Sequence, residues 1–156
     1  MKTLLILVGK TTSKVFNTGI NDYVERISHY MPFDIITIPE LKNTKSITEE
    51  QQKEKEGELI LKHIQPGDTL VLLDEHGKEF RSIELANWLE RKQQTCRRLV
   101  FVIGGPYGFS KEVYDKANEK ISLSKMTFSH QMVRLIFTEQ IYRACTIIKG
   151  EPYHHE

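Results

Sequence analysis

The stretch LVFVIGGPYGFS, residues 99–110, has the composition of a ligand-binding loop. An apolar run ends in Gly104 and Gly105, and Pro106 turns the chain before a helix-start signal at Ser110. Two adjacent glycines lack Cβ atoms, so a flat ligand could lie against bare backbone. The loop contains no lysine or arginine, which disfavours a di- or triphosphate and favours a neutral or cationic adenosine derivative. A plain sharp turn is the alternative interpretation.

Two further segments could contribute to the same site. Asp74 ends another apolar run and could bind a ribose hydroxyl, or it could cap a turn together with Gly77. The segment ISLSKMTF, residues 121–128, mixes polar and apolar side chains. An irregular segment of this kind could offer backbone donors and acceptors to an adenine held between apolar side chains. An ordinary edge strand would have the same composition.

Basic and aromatic residues in the last third of the chain could recognise nucleic acid. Arg134 has no acidic partner four residues away and follows His130, a combination that suits phosphate or base recognition. Glu139 and Arg143 form an i, i+4 pair in the favourable order. The segment PYHHE, residues 152–156, could stack aromatic and imidazole rings on an unpaired base. A solvated surface and a frayed terminus are the alternatives.

Composition narrows the classes of protein. A length of 156 residues predicts one domain, residues 1–156. The net charge of +1 argues against coating nucleic acid through bulk charge, so an RNA partner would have to meet a local patch. Cys96 and Cys145 form no CxxC motif and the histidines lack metal-ligand spacing, so we expect no metal. No apolar run reaches membrane-spanning length, and we expect a soluble, cytoplasmic protein.

Strand and helix patterns alternate along the chain. Continuous apolar runs predict buried strands at 3–9, 33–39, 69–74 and 99–105. Amphipathic spacing and capping signals predict helices around 20–27, after Ser46 with Glu49, after Ser82, after Ser110 and at about 130–148. This alternation is typical of an α/β fold with a mostly parallel sheet flanked by helices. Ligands bind such sheets at the carboxyl ends of the strands, so segments 74–77, 104–109 and 122–129 should meet there.

The last predicted helix carries apolar residues on more than one face. Such a helix is buried on two sides. One side should pack on the sheet. The other side should be covered either by a second subunit or by other parts of the same chain.

The motifs occur in an order that resembles one known family. In sequence they are LLILVGK, LLDEHGKEFRSIELA, VIGGPYGFS, SLSKMTFSHQMVR, EQIYRA and PYHHE. Together they closely resemble the ribosomal RNA large subunit methyltransferase H family, and the similarity runs essentially from end to end. No single motif is specific; their shared order carries the resemblance.

The resemblance implies a fold and an activity. The family is of the SPOUT class, an α/β domain whose C-terminal part is tied in a trefoil knot and which works as a homodimer. It methylates N3 of a pseudouridine in 23S rRNA of the assembled 70S ribosome, using S-adenosylmethionine. The rival interpretations are a SPOUT methyltransferase acting on another RNA site and a ribosome-binding module without catalysis.

Matching motifs also assign residues to sites. The implied cofactor-binding residues are Leu73, Gly104, Gly105, Leu123, Ser124, Lys125, Met126, Thr127, Phe128 and Ser129. The implied RNA-binding residues are His130, Arg134, Tyr142, Arg143, Tyr153 and His154. For catalysis, His154 or solvent would accept the N3 proton, while Arg134 or Arg143 would stabilise the developing enolate-like oxygen.

The sequence departs from the family pattern at two places. Just before the long helix, the family often has proline-His-proline, whereas this sequence has Ser129, His130 and Gln131. In the tail, His155 stands where the family often has arginine. A neutral imidazole carries no charge, which weakens the case for a phosphate contact at His155.

Overall fold

Five strands form one parallel sheet in the computed structural model, which describes residues 1–156. The strands are β1 (Lys2–Val8), β2 (Phe33–Ile38), β3 (Thr69–Glu79), β4 (Arg98–Ile103) and β5 (Glu119–Ser122). Their order is β2-β1-β4-β3-β5, and every neighbouring pair is parallel. The expected α/β arrangement with a parallel sheet flanked by helices is confirmed. The trefoil knot stays a prediction.

Helices cover both faces of this sheet. They are α1 (Lys14–Ser28), α2 (Glu49–Leu61), α3 (Ser82–Thr95), α4 (Lys111–Lys116) and α5 (Met132–Ile148). Alternate residues of β1 point to opposite faces, as the period of a strand requires. Leu5 and Leu7 pack with α1, α3 and α5, whereas Leu4 and Ile6 pack with α2 and α4. Burial on both faces explains why the strands read as continuous apolar runs.

Helix α5 lies between α1 and α3 on one face of the sheet. Its Phe137 ring packs edge-on against Phe101 of β4, with 4.9 Å between ring centroids. On its flank, the Leu135 side chain packs closely against Gly19 of α1. Neighbours within the same chain therefore account for much of the broad apolar surface that the sequence shows. The homodimer stays a prediction.

Two of the predicted helix caps are wrong, one by two residues and the other by one. Ser46 lies in a short 3-10 turn, Thr44–Ser46, and Thr48 caps α2 instead. Ser82 is the first residue of α3, and Glu84 accepts a hydrogen bond from the Arg81 backbone N–H at 2.7 Å. The predicted cap at Ser110 is confirmed, because its Oγ accepts from the Val113 N–H at 3.4 Å.

We expect Thr48→Ala to destabilise the protein by about 1 kcal/mol. The Thr48 Oγ1 accepts from the Gln51 N–H at 3.1 Å, and the Gln51 Oε1 accepts from the Thr48 N–H at 2.9 Å. Urea denaturation at one fixed protein concentration measures the change. Ser46→Ala is the control and should be nearly neutral, since its Oγ only donates to the Asn43 carbonyl at 3.4 Å. Equal losses for the two variants would contradict the assignment of the cap.

Strand β3 continues past the point where the sequence predicts its end. Its pairing with β5 shifts between Leu73 and Lys78, so the expected segment 74–77 is an irregularity within a longer strand. A Cβ on Gly77 would lie 2.6 Å from the backbone N of Ile121. Only glycine allows β3 and β5 to approach this closely. The approach positions Ile121, which lines the cavity at the candidate functional site.

Candidate functional site

A cavity of about 610 Å³ opens at the carboxyl ends of β4 and β5, beside the irregular stretch 73–76 within β3. The three segments that the sequence brings together all contribute to its walls. Its lining residues are Leu73, Asp74, Glu75, His76, Ile103, Gly104, Gly105, Pro106, Tyr107, Gly108, Phe109, Tyr114, Ile121, Ser122, Leu123, Ser124, Met126, Thr127, Phe128, Ser129, His130 and Val133. The size and position are those of a small-molecule site in an open α/β sheet.

Most of the residues implied for cofactor binding lie in this lining. They are Leu73, Gly104, Gly105, Leu123, Ser124, Met126, Thr127, Phe128 and Ser129. Lys125 is exposed and lies outside the lining, so its side chain is not placed at the cavity. That these residues hold a cofactor stays a prediction.

The charge of the lining distinguishes between classes of ligand. Asp74 and Glu75 are the carboxylates in it, and no lysine or arginine lines the cavity. A polyphosphate would be repelled, whereas a neutral or cationic nucleoside would not. Asp74 is also engaged in local structure: its Oδ1 accepts from the His76 N–H at 2.8 Å, and its Oδ2 accepts from the Tyr114 hydroxyl. The turn interpretation of Asp74 therefore has direct structural support.

The two glycines have a different role from the one that the sequence suggests. A Cβ on Gly104 would lie 2.9 Å from the Phe109 ring, and a Cβ on Gly105 would lie 2.7 Å from the Glu56 carboxylate. Each missing Cβ therefore makes room for a packed neighbour. A side chain at either position would displace that neighbour or the loop that lines the cavity.

Serine hydroxyls shape the irregular segment that follows β5. The Ser122 Oγ donates to the Ser124 carbonyl at 2.9 Å, and the Ser124 Oγ accepts from the Met126 N–H at 3.0 Å. At the start of α5, the Ser129 Oγ accepts from the Met132 N–H at 3.1 Å. The sequence left two interpretations open here, and each applies to part of the segment, since Glu119–Ser122 is an edge strand and an irregular stretch follows.

The prediction of an RNA-facing Arg134 is wrong, because the side chain is completely buried. Its guanidinium donates to the Val8 carbonyl at 2.8 Å, to the Gly9 carbonyl at 2.9 Å and to the Thr11 Oγ1 at 2.9 Å. A fourth bond reaches the His130 carbonyl at 3.1 Å. Arg134 thus ties the end of β1 to the beginning of α5, and burial lowers the pKa of its guanidinium.

Gln131 adds a second tie between the same two segments. Its Oε1 accepts from the Thr12 N–H at 2.8 Å, and its Nε2 donates to the Lys10 carbonyl at 3.1 Å. A proline at this position could form neither bond. The departure at Gln131 is therefore compensated by contacts that hold the loop after β1 against α5.

Four of the residues implied for RNA binding contact one another at the far end of α5. We call Glu139, Tyr142, Arg143, Tyr153 and His154 the tail cluster. Within it, the Arg143 guanidinium pairs with the Glu139 carboxylate at 2.5 Å, which confirms the predicted i, i+4 pair. The Tyr153 hydroxyl donates to Glu139 at 3.0 Å, and the Tyr153 ring packs on Tyr142 with 4.7 Å between centroids. The C-terminal segment is therefore packed on α5.

A comparison with known families identifies the family of the chain. The family model described as "Predicted SPOUT methyltransferase" matches residues 1–154. The chain belongs to the SPOUT methyltransferase family. A methyltransferase of this family requires a methyl donor, and the cavity is the place where the implied donor-binding residues converge.

Curated relatives of this SPOUT methyltransferase match it over its full length. Proteins named ribosomal RNA large subunit methyltransferase H are 68% identical in Bacteroides fragilis and 66% identical in Bacteroides thetaiotaomicron, with all of both chains covered. A protein of the same name in Flavobacterium psychrophilum is 57% identical over the same full coverage.

Within one SPOUT chain, the cavity and the tail cluster are separated. His130 and Val133 line the cavity. Arg143 lies ten residues beyond Val133 along α5, a distance of roughly 15 Å. His130 is thus the one residue of the implied RNA-binding set that lies at the cavity. None of the helices is both long and apolar enough to cross a membrane, and no group of three or more acidic, histidine or cysteine side chains is arranged to hold a metal.

Proposed function

We propose that this protein transfers a methyl group from S-adenosylmethionine to N3 of a pseudouridine in 23S rRNA of the assembled ribosome. Membership of the SPOUT family and full-length similarity to the named relatives support methylation of ribosomal RNA. The position of the methylated atom follows from the motif resemblance. We further propose that the protein works in the cytoplasm as a homodimer.

One observation carries the choice of cofactor: the cavity combines nucleoside-sized space with a lining that includes carboxylates and lacks lysine and arginine. A volume of about 610 Å³ suits an adenosyl compound. When bound, S-adenosylmethionine supplies a methyl group attached to a positively charged sulfur. Asp74 and Glu75 favour that charge, and Leu73 and Phe128 contribute apolar surface for an adenine. The residues present therefore fit this cofactor.

The chain's own contribution to the reaction is mainly positioning. Transfer forms an N3–carbon bond, breaks the carbon–sulfur bond and releases the N3 proton. Holding donor and acceptor in line is worth up to roughly 7–11 kcal/mol of the barrier. The serine bonds in segment 122–129 and the Arg134 ties at its end provide the rigidity that this alignment needs.

The tail cluster limits which residue can take the proton. Arginine only donates hydrogen bonds, so the Arg143 Nη1 contact of 3.0 Å makes the His154 Nδ1 the acceptor. A neutral His154 in this arrangement carries its proton on Nε2 and cannot accept another there. Solvent is then the acceptor unless the imidazole leaves Arg143. Arg143 remains the candidate for stabilising the uracil oxygen, because Arg134 is buried.

A second subunit would solve the separation between cavity and tail cluster. Within one chain the two are roughly 15 Å apart along α5. In a homodimer, the tail cluster of one protomer could stand beside the cavity of the other and supply Tyr153 and Arg143 to the RNA. His130, exposed at the rim of the cavity, would contact the same nucleotides.

The test is methyl transfer from labelled S-adenosylmethionine to intact 70S ribosomes. We expect the label in 23S rRNA, at N3 of one pseudouridine. Free 23S rRNA is the matched control and should not be labelled if the enzyme requires the assembled ribosome. Label at another nucleotide would favour a SPOUT enzyme with a different RNA target. Cofactor binding without any transfer would favour the non-catalytic ribosome-binding module.

A further inference from the structure

Glu56 of α2 is a buried acid without a charged partner. It lies in the run EEQQKEKEGE, residues 49–58, whose composition is typical of a solvated helix face, but the Glu56 residue surface is only 5% exposed. Its Oε2 accepts a hydrogen bond from the Gln52 Nε2 at 3.1 Å, and its Oε1 is buried with no partner at all. An unpaired buried charged group is costly and calls for an explanation.

The carboxylate of Glu56 lies directly behind the loop that lines the cavity. A Cβ on Gly105 would be 2.7 Å from Oε1 and 3.0 Å from Oε2. The next residue, Gly57, packs so closely on Ser110 that its own Cβ would lie 2.5 Å from the Ser110 Oγ. Helix α2 therefore places one negative group against the backbone of Gly105, which is itself a lining residue.

The Glu56 carboxylate is compensated only in part, by the hydrogen bond from Gln52 to one of its two oxygens. Burial raises the pKa of the Glu56 carboxyl, the Gln52 hydrogen bond opposes that rise, and the nearby Glu40 carboxylate adds to it. Glu75, by contrast, is exposed at the cavity, so its field is screened by water and salt. A charge held in the low-dielectric interior acts over a longer distance than one at the surface.

We propose that Glu56 is a specificity-determining residue, which makes the cavity favour the positively charged methyl donor over the neutral thioether that remains after transfer. This inference rests on the proposed function. Transfer of the methyl group leaves the sulfur as a neutral thioether. S-adenosylhomocysteine therefore has no sulfonium for Glu56 to attract. The charge would thus strengthen the binding of the methyl donor and leave the binding of the product nearly unchanged.

The experiment compares two ligands that differ in this charge. The ionised Glu56 carboxylate attracts a cation bound in the cavity and has no comparable effect on a neutral ligand, so its removal changes the ratio of the two binding constants. Calorimetric titration of the wild-type protein and Glu56→Gln should show S-adenosylmethionine binding weakened by about fivefold or more. S-adenosylhomocysteine binding should stay within about twofold, since glutamine keeps the shape of the side chain.

Controls separate charge from shape. Glu58→Gln removes a charge from the exposed side of the same helix and should leave both affinities unchanged. Glu56→Met tests the same loss of charge with an apolar side chain and should give the same change of ratio. If a Glu56 variant binds both ligands with the same ratio of affinities as the wild-type protein, Glu56 only supports the loop sterically, and the inference is overturned. Failure of the wild-type protein to bind either ligand would overturn the proposed function as well.

Discussion

Arg134→Ala is expected to lower the free energy of unfolding by about 3–5 kcal/mol. The variant removes a fully buried guanidinium together with its bonds to the Val8, Gly9 and His130 carbonyls and the Thr11 hydroxyl. These carbonyls belong to the end of β1 and the beginning of α5, so both segments lose their mutual anchor. Urea denaturation followed by circular dichroism measures the loss.

Two variants show whether the geometry of Arg134 matters beyond its charge. Arg134→Lys keeps a positive charge but cannot reproduce the planar fork that reaches β1 and α5 together, so most of the loss should remain. Arg143→Ala, on the same helix, removes a partly exposed ion pair and should cost only about 1 kcal/mol. If Arg134→Ala were as mild as Arg143→Ala, while turnover on ribosomes vanished, Arg134 would be an RNA contact after all.

Gly105→Ala is expected to weaken the binding of S-adenosylhomocysteine by about tenfold or more, which corresponds to ~1.4 kcal/mol. The added Cβ would lie 2.7 Å from the Glu56 carboxylate, a distance that forces either the side chain or the loop to move. Because Gly105 lines the cavity, movement of the loop changes its shape. A neutral ligand is used so that the charge of Glu56 does not contribute.

A double-mutant cycle tests the steric cause. Glu56→Ala in the Gly105→Ala background removes the obstructing carboxylate and should restore at least half of the lost binding energy, a coupling of about 0.7 kcal/mol or more. Glu56→Ala alone is the control. Strictly additive effects, or normal binding by Gly105→Ala, would show that the loop does not depend on this contact.

Four of the five strands could be predicted because burial on both faces leaves a simple signal, an uninterrupted apolar run. The run LVFVI has no polar interruption, and Leu99 to Ile103 are all buried. The carboxyl ends of such strands share one edge of the sheet, which is why the segments around Gly104 and Leu123 could be expected to meet. The far end of β3 was missed, since Gly77 and Lys78 have no strand-like pattern.

Arg134 and Glu56 were missed because charge was taken as a sign of exposure. A better signal was present in the spacing: Arg134 precedes the buried Phe137 and Ile141 by three and seven residues, so it shares their face of α5. Glu56 likewise precedes the buried Ile60 by four. Which partner would satisfy each charge depends on distant segments, and no local pattern in the sequence contains that information.

Residues of the tail were expected to face RNA, and within one chain they pack on one another. Composition identifies Tyr153 and His154 as suitable for stacking, but it cannot show that Arg143 is already bonded to Glu139 and His154. The separation of roughly 15 Å from the cavity follows from the length of α5 and could have been calculated once the helix was predicted.

The central claim is that an adenosyl methyl donor occupies the cavity at the carboxyl ends of β4 and β5, beside residues 73–76 of β3. A crystal structure of the protein with S-adenosylmethionine tests it most directly. We predict the adenosyl group between the Gly104–Gly108 loop and segment 123–129, with the Leu73 side chain in contact. An adenosyl group bound elsewhere on the protein, with the side chains around this cavity collapsed onto one another, would contradict the account.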